Sequence, residues 1–156
     1  ANTGGEAAPA ELAAVAELAA AGGLAYLDLD AIAEWEIARL APEDRQAFLA
    51  DLGISEPARD RFIRVCYELL EQAAFFTVGE DEVRAWTIQR DLPAVRAAGK
   101  IHSDLERGFI RAEVSAYDRF VALGSLAEAR KHGALRLEGK EYPVQDGDIV
   151  NTRFNV

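Results

Sequence analysis

Methionine is absent from this 156-residue chain, which also has only one cysteine and two histidines. Cys66 therefore has no partner for an internal disulfide, and so few thiols and imidazoles cannot build a Cys/His zinc site. No stretch approaches the roughly 18 uninterrupted apolar residues of a membrane-spanning helix. The N-terminus has neither an initiator methionine nor the basic region of a signal peptide. We therefore expect a piece of a longer cytoplasmic protein with no membrane partner.

Basic residues are fewer than acidic ones. The chain carries 17 lysines and arginines against 27 aspartates and glutamates, for a net charge of −10. This balance argues against a general nucleic-acid binder, and we expect no recognition of a DNA sequence. Residues 1–74 hold 5 basic and 14 acidic residues, whereas residues 75–156 hold 12 and 13. The two halves are thus electrostatically different, and the second is nearly neutral.

The first half is predicted to be mostly helical. Apolar spacing, first-turn prolines and glycine stops predict helices over 9–21, 30–40, 42–52 and 56–72. Ser55 is the predicted N-cap of the last helix, and Cys66 lies in its apolar stripe, where a small buried thiol is favoured over a redox sensor. The apolar run 24–29 is predicted to be a strand buried on both faces. Helix, buried strand and helix resemble the last unit of a parallel α/β sheet.

The second half alternates strand and helix patterns, so the chain as a whole is predicted to be α+β. A hairpin is predicted from strands 75–78 and 82–90, followed by a helical segment over 97–108 and a strand over 109–114. Two short helices, 117–123 and 126–132, precede strands over 135–137, 142–144 and 149–154. This is the element order of a β-grasp, or ubiquitin-like, domain. Strand alternation also places Arg84 and Trp86 on one face.

An ordered, nearly gap-free series of segments in the second half carries a resemblance to a known family. The segments are 75–79 (FFTVG), 82–88 (EVRAWTI), 97–104 (AAGKIHSD), 106–113 (ERGFIRAE), 137–142 (LEGKEY), 145–148 (QDGD) and 154–156 (FNV). They resemble the TGS domain that ends members of the Obg-like ATPase (YchF) family. The preceding 61–70 (RFIRVCYELL) resembles the connecting segment of the same family. The resemblance implies three parts: 1–40, the C-terminal remnant of a P-loop NTPase domain; 41–74, a helical connector; and 75–156, a β-grasp TGS domain.

The resemblance implies that the longer protein binds and hydrolyses ATP, and GTP less well, with Mg²⁺, and that it associates with the ribosome through the TGS domain. The present chain contains no G-x-x-x-x-G-K-[ST] loop to cradle phosphates. We therefore expect it to hydrolyse no nucleotide and to hold no cofactor by itself. The alternative is a non-catalytic, stand-alone TGS adaptor that binds RNA or protein. A conjugated ubiquitin-like modifier is disfavoured, because the chain ends in Phe154, Asn155 and Val156 rather than in Gly-Gly.

Nucleotide recognition is implied at four positions. In this family an Asn-x-x-Glu element replaces the Asn-Lys-x-Asp of ordinary GTPases, and this replacement goes with the use of ATP. The resemblance places that asparagine at Asn2, followed by Thr3, with Glu6 one residue late. A second base-contacting loop falls at Asp30 and Ala31, where Asp30 replaces the usual Ser or Cys. An ordinary loop is the alternative interpretation.

Partner binding is implied for the second half, where basic residues are mixed with aromatic ones. The residues expected to contact ribosomal RNA or protein are Arg84, Trp86, Arg90, Lys100, His102, Arg107 and Arg111. A solvated surface is the alternative, because acidic residues are interleaved. The segment 91–95 (DLPAV) departs from the Gly-Thr-Lys-Ala-Pro type of loop common in the family, and it lacks that loop's lysine. His102, next to Ser103 and Asp104, is expected to bond locally and not to act in a catalytic triad.

Overall fold

The computed structural model describes residues 1–4, 8–79 and 81–155. The chain divides into two compact units, Ala1–Leu70 and Glu71–Val156. The first unit is helical, and the second is built on one five-stranded sheet with helices, so the α+β class is confirmed. Across the described ranges, no helix is both long enough and apolar enough to cross a membrane.

The described part of the N-terminal unit contains four helices. They are α1 (Pro9–Ala21), α2 (Ala31–Arg39), α3 (Pro42–Asp51) and α4 (Ala58–Leu69). Pro9 and Pro42 stand in the first turns of α1 and α3 as predicted, because the fixed φ and missing N–H of proline suit that position. The Asp30 carboxylate begins α2 by accepting hydrogen bonds from the backbone N–H groups of Ile32 and Ala33, at 2.9 and 3.2 Å.

The strand predicted over 24–29 is wrong. Within the described residues, Leu29 is the one member of this segment that forms a bridge, a parallel one with Asn2. Leu24 is 69% exposed, so the segment is not buried on both faces. A strand requires a neighbour for its backbone donors and acceptors along its whole length, and residues 1–3 cover only its end.

The predicted limits of α4 also need correction. Pro57 is its N-cap in place of Ser55, and the backbone N–H of Ala58 donates to Glu34 Oε1 at 2.7 Å instead of to a cap on its own segment. The helix ends at Leu69, before the predicted end at residue 72. Glu71 adopts a φ of +51°, in the left-handed region that a right-handed helix cannot include.

Little apolar surface is buried within the N-terminal unit. Its buried apolar residues, within the described ranges, are Ile37, Leu49 and Ala58. Its large apolar side chains that are exposed are Val15, Leu18, Leu24, Ile32, Trp35, Leu52, Phe62, Ile63, Leu69 and Leu70. The apolar stripe predicted for α4 is therefore largely open, although Cys66 within it is half-buried.

Five strands and four helices are found in the C-terminal unit over residues 71–79 and 81–155. They are β1 (Gln72–Val78), β2 (Val83–Gln89), α5 (Ala94–Ile101), α6 (Ser103–Arg107), β3 (Phe109–Ala116), α7 (Tyr117–Leu123), α8 (Leu126–Lys131), β4 (Arg136–Glu138) and β5 (Asp148–Phe154). The predicted hairpin, the helices and the strands at 109–114, 135–137 and 149–154 are confirmed to within a few residues. The strand predicted over 142–144 is wrong.

Residues 142–144 form a loop, whose one pairing is an isolated bridge between Pro143 and Pro93. Proline has no N–H to donate to a strand ladder. The Tyr142 hydroxyl instead donates to Asp148 Oδ2 at 2.8 Å, and Arg136 donates to the same hydroxyl at 2.9 Å. Burial, with the hydrogen bond and charge of Asp148, raises the pKa of Tyr142 to about 12. The phenol therefore stays protonated and anchors the loop.

The sheet has the strand order β2-β1-β5-β3-β4. β1 and β5 pair in parallel, with Phe76 opposite Ile149, whereas every other pair is antiparallel. The last strand of the sequence thus lies at the centre of the sheet, between the first strand and the third. β2 and β4 form the edges.

Both faces of the sheet are covered. On one face, a core that includes Phe75, Ile88, Val114 and Val150 packs against small residues of α5. Phe120 of α7 and Ala129 of α8 form a second cluster with Ile149 of β5. Because side chains alternate along a strand, Phe75 and Phe76 serve opposite faces. We call these the α5 face and the α8 face.

Hydrogen exchange should separate the two units. Amides of β1, β3 and β5 should exchange slowest because they lie in a sheet with a core on each face, and those of α1 fastest because this helix contains no buried residue. Mass-detected exchange on a dilute sample measures both. Equal protection of α1 and β5 would contradict this expectation.

Candidate functional site

The four residues predicted to recognise a nucleotide base lie together at one end of the N-terminal unit. Asn2 forms the parallel bridge with Leu29, and the Thr3 backbone N–H donates to the Leu29 carbonyl at 2.8 Å. The Ala31 backbone N–H donates to Asn2 Oδ1 at 3.1 Å, which joins the two predicted loops directly. Glu6, the other member of the Asn-x-x-Glu element, lies outside the described residues.

Side chains of these two loops form hydrogen bonds with backbone groups. Asn2 Oδ1 also accepts from the backbone N–H of Gly4, at 3.4 Å. The Asp30 carboxylate caps α2, and Thr3 Oγ1 donates to the Leu29 carbonyl at 3.3 Å. The NH₂ group of Asn2 is the amide half not used in these bonds, and the side chain is exposed. Asn2 can therefore fix the loop with its oxygen and donate with its nitrogen.

Among the residues predicted to bind a partner, Arg84 and Trp86 lie on one strand face, as their alternation predicted. The Arg84 guanidinium stacks over the Trp86 ring at 4.2 Å from its centroid. Trp86 Nε1 donates to Thr77 Oγ1 on β1 at 3.0 Å. The indole is thus held by a hydrogen bond and covered by a cation, and it packs against the α5-face core.

The other predicted partner residues lie outside β2. Arg90 follows the far end of β2, and Lys100 and Arg107 lie in the last turns of α5 and α6. Arg107 pairs with Asp104, and His102 Nδ1 accepts from the Asp104 backbone N–H at 3.1 Å as the N-cap of α6. His102 therefore bonds locally, as predicted.

Arg111 lies on the opposite face of the sheet from Arg84, beside a charged cluster that sequence analysis did not predict. Glu113, two residues along β3, is only 3% exposed. Arg130 Nη2 donates to Glu113 Oε2 at 2.9 Å, and Asn151 Nδ2 donates to the same oxygen at 2.8 Å. Arg153 Nη2 donates to Glu113 Oε1. We call Arg111, Glu113, Arg130 and Arg153 the arginine cluster.

Burial alone would raise the pKa of Glu113, since it disfavours the charged form. Hydrogen bonds from Asn151, Arg153 and Arg130, with the charge of Arg130, outweigh that effect and lower the pKa below its ordinary value. The carboxylate is therefore ionised and aligns the two guanidinium groups. Arg111 and Glu113 share a face because side chains alternate along β3, whereas no local sequence signal indicates that α8 lies above them.

Each unit also has an open groove. One in the N-terminal unit, about 480 Å³, lies between α2 and α4, with Trp35 and Phe62 among its lining residues. Another, about 410 Å³, lies on the α5 face of the sheet, where Trp86, Leu105 and Phe154 contribute to its walls. Within the described ranges, no three or more His, Cys, Asp or Glu residues are grouped to hold a metal ion.

Comparison with known proteins gives the family. A family model, YchF-GTPase_C, described as a protein of unknown function (DUF933), matches residues 72–155. The chain belongs to the YchF family. The resemblance read from the sequence is thereby confirmed. The YchF match spans nearly the whole of the C-terminal unit, from the first residue of β1 onwards.

Curated YchF relatives extend the similarity into the N-terminal unit. The chain is 50% identical over 145 residues to the ribosome-binding ATPase YchF of Bacillus subtilis, a match that covers 93% of this chain and 40% of that protein. It is 49% identical over 142 residues to the protein of the same name from Haemophilus influenzae, covering 91% of this chain and 39% of the relative. The chain thus spans about two fifths of the length of these relatives.

Solved structures are similar to the chain as well. The YchF GTPase of Schizosaccharomyces pombe matches with a TM-score of 0.72 at 29% identity, over 84% of this chain and 34% of that one. A GTP binding protein from Pyrococcus horikoshii OT3 matches over 99% of this chain and 44% of its own, with a TM-score of 0.70. At 18% identity this second likeness concerns the fold alone.

Acid should destabilise the C-terminal unit through Glu113. Because folding lowers the pKa of this carboxyl below 4.5, its stabilising contribution is present above that pH and is lost as pH falls through the folded-state pKa. We expect the decline of the urea midpoint between about pH 5 and 2 to be shallower in Glu113→Gln than in the unmodified chain. Glu141→Gln, at an exposed carboxylate of the same unit, is the control. An equal decline in Glu113→Gln would contradict the assignment.

Proposed function

We propose that this chain is the C-terminal part of an ATP-hydrolysing protein that associates with the ribosome, and that its C-terminal unit makes the contact. The observation that carries the proposal is the 50% identity, over 93% of the chain, to a protein named a ribosome-binding ATPase. Identity at this level across both units supports a shared activity of the longer proteins. Ribosome association further implies a cytoplasmic location.

In this proposal residues 75–156 are a TGS domain of the β-grasp type, residues 41–74 a helical connector and residues 1–40 the end of a P-loop NTPase domain. The hairpin, the helix-bearing crossover and the central parallel pair of β1 with β5 support the β-grasp assignment. The parallel bridge of Asn2 with Leu29, followed directly by α2, supports the end of a parallel α/β sheet.

Phosphate chemistry would come from the part of the longer protein outside this chain. Phosphoryl transfer needs a phosphate-cradling loop with a lysine, and a Mg²⁺ ion held by Ser/Thr and Asp side chains. The sequence has no such loop, so the chain would hydrolyse no nucleotide by itself. ATP and Mg²⁺ would belong to the whole protein, and residues 1–40 would contribute only to recognition of the base.

Asn2 is the residue best placed for that recognition. Asparagine can donate to and accept from the edge of adenine, as it does in pairing with this base elsewhere. Its Oδ1 is held by the backbone N–H of Ala31, which would leave Nδ2 to donate to a ring nitrogen. Thr3, Asp30 and Ala31 would shape the loops around the base. Asp30 already caps α2, so its role would be to position that loop.

Substitution of Asn2 tests base recognition. In the full-length protein, Asn2→Ala should raise the Kd for ATP by about tenfold, the equivalent of one hydrogen bond left unmade, and should reduce the preference for ATP over GTP. Fluorescence titration with both nucleotides measures this. Arg59→Ala, at an exposed ion pair of α4 in the same unit, is the control and should bind ATP normally. Unchanged binding by Asn2→Ala would contradict the role.

A stand-alone adaptor that binds RNA or protein without catalysis is the second candidate. It is favoured by one observation, namely that the C-terminal unit has its own sheet and core. The two candidates predict different nucleotide turnover for the full-length product of the gene. Turnover of ATP above that of GTP would support the ATPase, and turnover of neither would support the adaptor.

Ribosome association is tested by sedimentation. We expect the 156-residue chain to co-sediment with purified ribosomes through a sucrose cushion at low salt and to be released as salt rises, because contacts with RNA phosphates depend on ionic strength. An exposed charged pair in the N-terminal unit offers a matched control, Arg59→Ala, which should sediment normally. Failure of the unmodified chain to sediment at any salt concentration would contradict the proposal.

A further inference from the structure

The arginine cluster holds more positive charge than its single carboxylate can balance. Arg111 lies directly opposite Arg153 in the register of β3 and β5. Like charges in directly opposed positions of an antiparallel pair are destabilising. Arg130 and Arg153 share the one charge of Glu113, so three cations face one anion. Arg111 has no ion pair within the part of the chain that the structure describes.

The guanidinium groups of Arg130 and Arg153 are held in place by hydrogen bonds and are exposed to solvent. Arg130 and Arg153 each use one nitrogen, Nη2, on the buried carboxylate, and a guanidinium has five N–H donors. Their side chains remain 56% and 53% exposed. Glu113 therefore orients two guanidinium groups and leaves their other donors towards solvent. A planar guanidinium matches the oxygens of a phosphate group in a bidentate way.

We propose that the arginine cluster binds phosphate groups of an RNA backbone, through Arg111, Arg130 and Arg153 on the α8 face of the sheet. This rests on the proposed function, since it names the surface and the ligand chemistry by which the C-terminal unit contacts the ribosome. An anion relieves the repulsion between Arg111 and Arg153, because the single charge of Glu113 is shared between Arg130 and Arg153 and leaves Arg111 unbalanced. A contact with phosphates positions a protein on RNA without reading its base sequence.

The proposal assigns partner binding to a different face from the one carrying Arg84 and Trp86. The Arg84 guanidinium is stacked on its own indole, and Arg107 is paired with Asp104. These two cations therefore have local partners on or near the α5 face. The arginine cluster lies on the α8 face instead, and Arg111 is the one predicted residue that belongs to it.

Arg111 is the residue to substitute because it forms no ion pair with Glu113. Its removal leaves the buried carboxylate paired with Arg130 and Arg153. The probe is a labelled 20-base-pair RNA duplex of mixed sequence, with binding followed by fluorescence anisotropy from 50 to 200 mM salt. We expect Arg111→Ala to weaken binding severalfold at low salt and to reduce the slope of log K against log salt by about 1. Arg111→Lys, which keeps the charge, should restore most of that slope.

Two matched variants separate the cluster from other effects of charge. Arg59→Ala removes one positive charge from the N-terminal unit, and Arg84→Ala removes one from the α5 face; both should keep the slope of the unmodified chain. A cooperative urea unfolding transition confirms that each variant is folded. The proposal is overturned if Arg111→Ala binds the duplex like the unmodified chain, or if Arg59→Ala weakens binding equally. Binding of poly-glutamate with no binding of the duplex would also overturn it, in favour of an acidic protein partner.

Sedimentation with ribosomes separates this proposal from the function on which it rests. If the unmodified chain and Arg111→Ala sediment equally well at every salt concentration, the phosphate site is wrong and ribosome association stands. If the unmodified chain fails to sediment but binds the duplex in an Arg111-dependent way, ribosome association is wrong and the phosphate site stands. Loss of sedimentation in Arg111→Ala, with retention in Arg84→Ala, supports both.

Discussion

The parallel pairing of β1 with β5 is the constraint on which the C-terminal unit depends. Two parallel neighbours cannot be joined by a tight turn, so the chain between them must cross over the sheet. That crossover supplies α5 and α6 to one side and, after β3, α7 and α8 to the other. Because β1 and β5 are then covered on both faces, Phe75 and Ile149 are both buried although they face opposite ways. The arginine cluster lies on this framework, with Glu113 and Asn151 opposite each other on adjacent strands.

Much of this architecture could be predicted from local patterns. First-turn prolines located α1 and α3, alternating or clustered β-forming residues located β1 and β2, and glycine turns located β5. Alternation also placed Arg84 with Trp86. The two strands that were wrongly predicted share a physical cause. Residues 24–29 and 142–144 have apolar composition suited to strands, but pairing is a property of the neighbours, and Leu29 and Pro143 form only isolated bridges. The end of α4 was missed because a left-handed residue, here Glu71, has no reliable signal when it is not glycine.

Some residues of the candidate sites could be predicted from the sequence, and others could not. The family resemblance brought Asn2 and Asp30 forward, and the structure places both at one end of the N-terminal unit through the bond between Asn2 and Ala31. The family resemblance could not reveal that the Asp30 carboxylate caps α2. Arg111 was selected by its charge, but Arg130 and Arg153 were not, because one lies in a six-residue helix and the other in the last strand. Only the tertiary fold shows that both meet one buried carboxylate.

The position of β5 has a consequence for how the C-terminal unit acquires its structure. Phe76 and Ile149 are partners across about 70 residues of intervening chain, so the central ladder closes a long loop. Folding rates fall as the average sequence separation of contacts rises, because loop entropy is lost before the contacts form. The β1–β2 hairpin can form early, but β1 and β3 have no direct pairing and are joined only through β5. Truncation within this strand would therefore leave two separate ribbons with unpaired inner edges, a state prone to association, rather than a smaller sheet.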